Sequence, residues 1–421
     1  MAETSASKLS KRIHTDGSTH YKSATAPANP VEGDLWYDTS AGSLKAYDGS
    51  TFVKVSAAIP TLTSVTGDIY AGLTSDLTLA GTNFLAANLV VNFVQADDSI
   101  DVDVTVTPSS DTAATVTVPS SVFDSVTAGN VVTIKVTNSD GLSSGTQTKT
   151  SIALPTGGTI TTSGDYRIHT FTSSADFVTS FTLTNVEHLI IAGGGGGGHS
   201  VHGHQGGGGG AGGYRSSVGT ENSGGGASTE SKSSLSAATY PVVVGAAGAR
   251  SVSEATQGGN GGTSSFNSIS TVGGGGGGAG SNGGTNRGGR NGGSGGGGAS
   301  SDQSLSSGGT GTSGQGYAGG SPETQGNGAS GAGGGAGSVG ASSSAIGTGV
   351  NNTGGGSGVA SSITGSSVTR ALGGNVQGSS QSGLADAGAN TGTGGIGGYN
   401  SGSGENGYNG GSGVVIIRYQ L

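Results

Sequence analysis

Cysteine is absent from the 421-residue chain, which removes disulfides, thiolate metal sites and cysteine nucleophiles together. Charge is scarce as well: 10% of residues are Asp, Glu, Lys or Arg, against about a quarter in an ordinary globular domain. The net charge of −9 and the lack of any Lys/Arg block argue against a nucleic-acid partner, whose binding rests on neutralising phosphates. Hydrophobic residues make up 31% and aromatics 5%, so no single large apolar core can be built. Stability must come from small cores, backbone pairing or association. No apolar run approaches the ~20 residues of a membrane span, and the first residues carry no stretch of signal-peptide length. Proline, at 8 residues, is too rare for a collagen-like chain.

Glycine is what the chain has. Most of its 92 residues gather with serine into a tract spanning 193–413, clamped by His188-Leu189-Ile190-Ile191-Ala192 and Val414-Val415-Ile416-Ile417-Arg418-Tyr419. A tract that starts where one strand leaves off and ends where another resumes reads as an excursion from a sheet. Collagen needs glycine at every third position, and residues 273–290 break that period. Disorder is the plain alternative, because glycine and serine bury almost nothing against the entropy of ordering the chain. The strand-like pieces Tyr240-Pro241-Val242-Val243-Val244 and Ser265-Phe266-Asn267-Ser268-Ile269 do not suit a solvated linker. The third reading, the one favoured here, is a bundle of extended threefold helices made of glycine. A lone helix of this kind has no internal hydrogen bonds, but without side chains its neighbours come close enough to pair N–H with C=O.

Ahead of the tract, residues 1–26 are polar and read as a flexible or partner-bound arm. Strand-prone runs at 35–37, 44–47 and 52–55 are separated by Thr-Ser-Ala-Gly and Asp-Gly-Ser turns and predict a β-meander. Strands this short are not stable alone, so the meander is expected to associate with copies of itself or a neighbouring domain. Trp36, the one tryptophan, is read as a packing residue rather than a sugar platform. Residues 59–154 alternate apolar with polar between Gly, Asn, Asp and Pro turns, the pattern of a β-sandwich. The expected fold is all-β: an N-terminal arm and meander over 1–58, an immunoglobulin-like spacer over 59–155, and a glycine-rich domain over 156–421 in which a β-sandwich is extended by the helix bundle.

Three resemblances follow from particular residues. Gly33-Asp34-Leu35-Trp36-Tyr37-Asp38 with Leu44-Lys45-Ala46-Tyr47-Asp48-Gly49 resembles a small module that recurs in phage tail-fibre proteins. Ala80-Gly81-Thr82-Asn83-Phe84, Val116-Thr117-Val118-Pro119 and the turn at 136–141 resemble an IPT/TIG-type immunoglobulin-like domain. Tyr166-Arg167-Ile168-His169-Thr170-Phe171, the run from Val186 to Gly195, Gly210-Ala211-Gly212-Gly213-Tyr214-Arg215 and the segment from Gly411 to Tyr419 resemble, in that order, the glycine-rich C-terminal domain of tailed-phage fibres. That resemblance implies a virion adhesin, released by host lysis, whose tip binds a cell-surface glycan or outer-membrane protein. It also implies a homotrimer attached to other tail proteins through the N-terminus. The alternative is an ice-binding or extracellular-matrix protein on the same polyglycine-II scaffold.

Candidate sites are sparse. His199, His202 and His204 share one loop, and three imidazoles without cysteine suit Zn, Ni or Fe; at the axis of a trimer such a segment ligates one ion. The same loop also reads as a polar turn whose histidines meet solvent or a receptor. Counting outward and homeward runs, residues 193–198 lead away from the sheet, the loop 199–205 is distal and 206–213 return. Residues 273–278 lead outward again, placing Arg287 and Arg290 at or near the tip, with Tyr399 and Tyr408 on the way back. His199, His202, His204, Arg287 and Arg290 are therefore the expected receptor-binding residues. Asp101 and Asp103 share a strand face, where calcium competes with a solvated surface as the reading. No phosphate loop, paired glycosidase carboxylates or nucleophile elbow can be picked out; no enzyme activity and no obligatory cofactor are expected.

Overall fold

The computed structural model describes residues 12–13, 19–41, 43–55, 59–96, 99–281, 284–301, 304–325, 328–344, 354–378, 384–399 and 404–421. Much of the expected docking arm, and Asp97 and Asp98 beside the candidate calcium carboxylates, lie outside these. The chain divides into two compact units, Met1–Leu154 and Pro155–Leu421. Both are built from strands, with a single turn of α-helix at Ser120–Phe123 and a 3-10 turn at Gly224–Gly226 among the described residues.

In the first unit the meander is a five-stranded sheet. The expected runs appear as Leu35–Asp38, Ser43–Tyr47 and Phe52–Lys54, joined by antiparallel pairing. Thr19–Ser23 adds a fourth strand, parallel to Leu35–Asp38, so the polar stretch before Pro27 is in part sheet. Its polarity hid it, since its residues show none of the apolar alternation by which a strand is read. Trp36 is 5% exposed, its indole N–H donating to Ser23 and its ring packed edge-on against Phe52 at 5.2 Å, which is the packing role expected of it.

Residues 61–150 form two sheets. Asp101–Val106, Leu89–Gln95, Val131–Thr137 and Gln147–Thr150 make one, and Ala113–Thr117, Asp76–Thr82 and Thr61–Thr66 the other. Leu89, Val91, Phe93, Val132, Ile134 and Val136 face Leu77, Leu79 and Val116 in one buried cluster, so the period-two pattern of the sequence maps directly onto the inner faces. Gly81 is required at its bulge: a Cβ there would lie 1.9 Å from the Thr61 carbonyl oxygen. Asn138 ties two turns together, accepting from the Leu85 N–H at 3.1 Å and donating to the Asn83 carbonyl at 2.8 Å.

In the second unit the main sheet runs Thr159–Ser163, Tyr166–Phe171, Val414–Gln420, Leu183–Ile191 and Tyr214–Ser216, all antiparallel, with Ser233–Leu235 also paired to Leu183–Ile191. The two runs that clamp the glycine tract are thus adjacent, and the later one lies at the centre. Val414 and Ile416 belong to a core with Ile168, Leu189, Ala211, Tyr214 and Ile363. Val415, Ile417 and Tyr419 belong to a second core with Phe171, Phe177, Val186, Leu235 and Phe266. A strand buried on both faces has no polar side to show, which is why it reads as a continuous apolar run.

Two polar groups are buried with this sheet. Glu187, 2% exposed, accepts from the Arg418 guanidinium and pairs with Lys232 at 2.9 Å. Arg418 also donates to the carbonyls of Ser362 and Ile363, fixing the hairpin of Val359–Ser361 and Val368–Arg370 to the sheet. Ser217, His188 and Glu230 lie in the order of a hydrolase triad, with contacts of 3.2 and 3.3 Å. Ser217 is 1% exposed, however, and its oxygen accepts the His188 backbone N–H, so the serine is part of the buried structure of the sheet.

Candidate functional site at the loop end of the bundle

The glycine tract is a lattice of extended helices. The N–H groups of Gly193 and Gly196 donate to Gly262 and Gly259, those of Gly194 and Gly197 to Gly411 and Tyr408, and those of Gly195 and Gly198 to Gly210 and Gly207. Carbonyls of the same six glycines accept, in the same rotation, from 274 and 277, from 248 and 251, and from 395 and 398, all at 2.8–3.0 Å. Every third residue addresses the same neighbour, as a threefold helix demands. Residues 193–198 therefore sit at the centre of six others, three running parallel and three antiparallel. A Cβ at any of the six would lie 1.8–2.2 Å from a backbone oxygen, so glycine is the one residue this position accepts.

Farther out the rule relaxes with the same period. In residues 245–251, Gly245, Gly248 and Ser251 are buried while Ala246, Ala247, Ala249 and Arg250 face solvent. At the rim, where a neighbouring helix is missing, side chains take over its carbonyls. Asn260, Asn291, Asn375 and Asn409 accept from the backbone N–H groups of Gly276, Thr310, Gly355 and Arg250, and Ser264, Ser321 and Ser338 do so for Gly245, Gly308 and Ser357. Buried donors are thereby satisfied, which accounts for the serine and asparagine that accompany the glycine.

Directions follow from the pairing. Residues 193–198, 273–279, 294–300 and 391–398 run away from the sheet, and 206–213, 286–293 and 407–413 return to it. The connecting loops at the far end gather residues separated by as many as 205 positions. Ser200 is bonded to Glu405 N–H and C=O and donates to the Tyr399 carbonyl at 2.7 Å, while Gly280 N–H donates to the His199 carbonyl and Ala279 N–H to that of Asn286. Arg287 reaches Ser301.

The expected site residues fall into distinct places. His204 is buried, His199 half-buried and His202 exposed, the last held at φ 45°. Burial lowers the His199 pKa, opposed by a hydrogen bond to Asn406 and the charge of Glu254. Among the described residues of the single chain no group of three or more His, Asp or Glu is placed to hold a metal. Arg287 lies at the loop end beside the 199–205 loop. Arg290 is one turn closer to the sheet, on the flank, donating to Gln257 at 3.0 Å, since its own N–H pairs with Gly276 rather than Ala279. Tyr399 ends an outward run rather than lying on the way back, because residues 384–390 supply a return that simple alternation did not anticipate. Glu254, Asn286, Glu405 and Asn406 complete the surface; lone polar residues in loops carry no signal by which sequence reading could have chosen them. Asp101 and Asp103 are both held by the Asn92 amide, at 2.8 Å each, on the outer face of the first unit's sandwich.

Neither the curated proteins nor the solved structures include a match to this chain. The family model for the glycine-rich domain does match, over residues 169–420. That span begins in the second strand of the second unit's sheet, takes in the whole lattice and ends in the strand that closes it, and on it the chain belongs to the glycine-rich domain family.

Proposed function

We propose that the chain is a tail-fibre adhesin of a tailed phage, a virion component free in the medium after host lysis, which binds the host surface through the loop end of its glycine bundle. The observation that carries this reading is the convergence of 199–205, of 280–281 with 284–287, and of 399 with 404–406 at one end of a scaffold whose centre is too tightly packed to vary. Sequence change is sterically open at the loops and closed at the centre of the lattice, an economical arrangement for a surface that must match changing receptors. Donors and acceptors there, from His199, His202, Asn286, Arg287, Glu405 and Asn406, suit a surface glycan or a polar loop of an outer-membrane protein. His204, being buried, serves to hold the loop, and Arg290 contributes a flank contact. The immunoglobulin-like sandwich acts as a spacer. The meander joins three copies of the chain and, with the residues before it, the other tail proteins. No nucleic acid, enzymatic step or cofactor enters this function.

Replacing His202 and Arg287 by alanine together is expected to reduce adsorption of virions carrying the chain by about tenfold or more, with thermal unfolding unchanged, whereas Asp101→Asn with Asp103→Asn leaves adsorption as it was. Full adsorption by the loop variant would move the binding surface elsewhere. The solvent-facing alanines at 246, 247 and 249 favour a second reading, an ice-binding or matrix face; thermal hysteresis in a solution of the intact protein would support it.

A further inference from the structure

Asparagine followed by glycine is the step at which a polypeptide modifies itself most readily, because the glycine nitrogen reaches the asparagine side chain without steric hindrance. Among the described residues this step occurs at Asn260-Gly261, Asn291-Gly292, Asn406-Gly407 and Asn409-Gly410, all inside the glycine tract. At 260, 291 and 409 both reacting groups are engaged. The asparagine Oδ1 atoms accept from Gly276, Thr310 and Arg250 N–H at 3.0, 2.8 and 2.8 Å. The N–H groups of Gly261, Gly292 and Gly410 donate to the carbonyls of Gly274, Thr310 and Gly248 at 2.9, 3.2 and 3.0 Å. Extended backbone, pinned at both groups, holds the nitrogen away from the carbonyl carbon it would attack.

From this geometry we infer that Asn260, Asn291 and Asn409 are self-modification sites gated by the bundle, silent while the lattice is closed and reactive when it opens. In the open chain the glycine nitrogen, losing its proton to solvent, forms a bond to the asparagine Cγ; the Cγ–Nδ2 bond breaks and ammonia leaves, giving a succinimide. One water then opens the ring to aspartate or isoaspartate. Isoaspartate adds a methylene to the main chain, which destroys the three-residue period on which each helix addresses its neighbours. Aspartate at 409 sets a carboxylate against Asp386, which now accepts from the Asn409 amide at 2.8 Å. An opening long enough for the reaction therefore becomes permanent. Asn406 differs: its amide meets the His199 ring at the loop end, while Gly407 N–H is paired with Ser251.

The test is peptide mapping by mass spectrometry of the intact protein held at pH 8, native and in denaturant, scoring ammonia loss and the 1-Da gain at each step, a gain fixed by the chemistry of amide hydrolysis at roughly the difference between NH2 and OH. Conversion at Asn260, Asn291 and Asn409 is expected to be at least about a hundredfold slower in the native protein, as for amides that react through opening of a stable core. Recovery of native far-UV signal after removal of denaturant should fall in step with the isoaspartate content. Equal rates in both states would overturn the gating. Full recovery of the modified chains would overturn the permanence. An Asn260→Gln, Asn291→Gln, Asn409→Gln variant that refolds after the same exposure would support it, and one that folds but fails to recover would refute it.

Discussion

Gly195 illustrates how tightly a single position is determined. Its added Cβ would stand 2.2 Å from the Gly275 carbonyl oxygen, and neither helix can retreat without breaking bonds to its other neighbours. Gly195→Ala is expected to destabilise the second unit by about 3 kcal/mol or more, read as a fall in its denaturant midpoint. Gly354, with nothing within 4 Å of its would-be Cβ, should accept alanine with no loss and a gain of up to ~1 kcal/mol from the less flexible unfolded chain. Equal losses at both positions would mean that helix crowding is not what excludes side chains. His169 sets a different kind of limit. Its ring is fully buried, Nδ1–H donating to the Gly157 carbonyl at 2.7 Å and Nε2 accepting from the Tyr419 hydroxyl at 3.0 Å, and desolvation lowers its pKa from 6.5 to about 4. The unfolded chain therefore binds a proton that the folded one refuses. Stability from this group is complete above pH 6.5, declines as pH falls toward 4 and is flat below, a loss of about 3 kcal/mol. In His169→Gln the slope of unfolding free energy between pH 6 and 4.5 should be smaller by close to one proton; an unchanged slope would place the titration elsewhere.

Strands, helices and loops differ in how far the sequence exposes them. The sandwich strands were legible because each shows alternation against one core, and Val414–Gln420 because a continuous apolar run between glycine and the chain's last residues can be satisfied only inside a sheet. Glycine runs announced the bundle for a steric reason, since nothing but glycine fits where carbonyls stand 2 Å from a missing Cβ. Thr19–Ser23 escaped notice because its partner strand, not its own composition, makes it a strand. The hairpin of Val359–Ser361 and Val368–Arg370 could be seen as an interruption, but its attachment through Arg418 spans about fifty residues of sequence and leaves no local mark. The histidine loop shows the limit in another way: three residues close in sequence differ in burial, and the positive φ at His202 leaves no mark in composition. Residues 193–198, with every N–H and C=O bonded, should be the slowest-exchanging amides of the bundle, approaching global unfolding, whereas those of the loop 199–205 exchange faster. Rapid exchange throughout 193–198 would contradict the lattice.

As a whole the second unit is assembled from partners far apart in sequence. Its first helix needs neighbours from 207–210, 248–251, 259–262, 274–277, 395–398 and 408–411, and loop-closure entropy must be met before any of those bonds forms. The position of Val414–Gln420 between Tyr166–Phe171 and Leu183–Ile191 sharpens this into a matter of time. During synthesis those two flanking strands emerge more than two hundred residues before the one that must lie between them, and the groove they would form has no temporary occupant in the nascent chain. A ribosome that stalls before residue 395 leaves a product with two open strand edges and a central helix lacking two of its six neighbours, visible to proteases and chaperones alike. The central sheet is thus the last part of the unit that can close, so that possession of the closed sheet certifies that the tract was read through to its end.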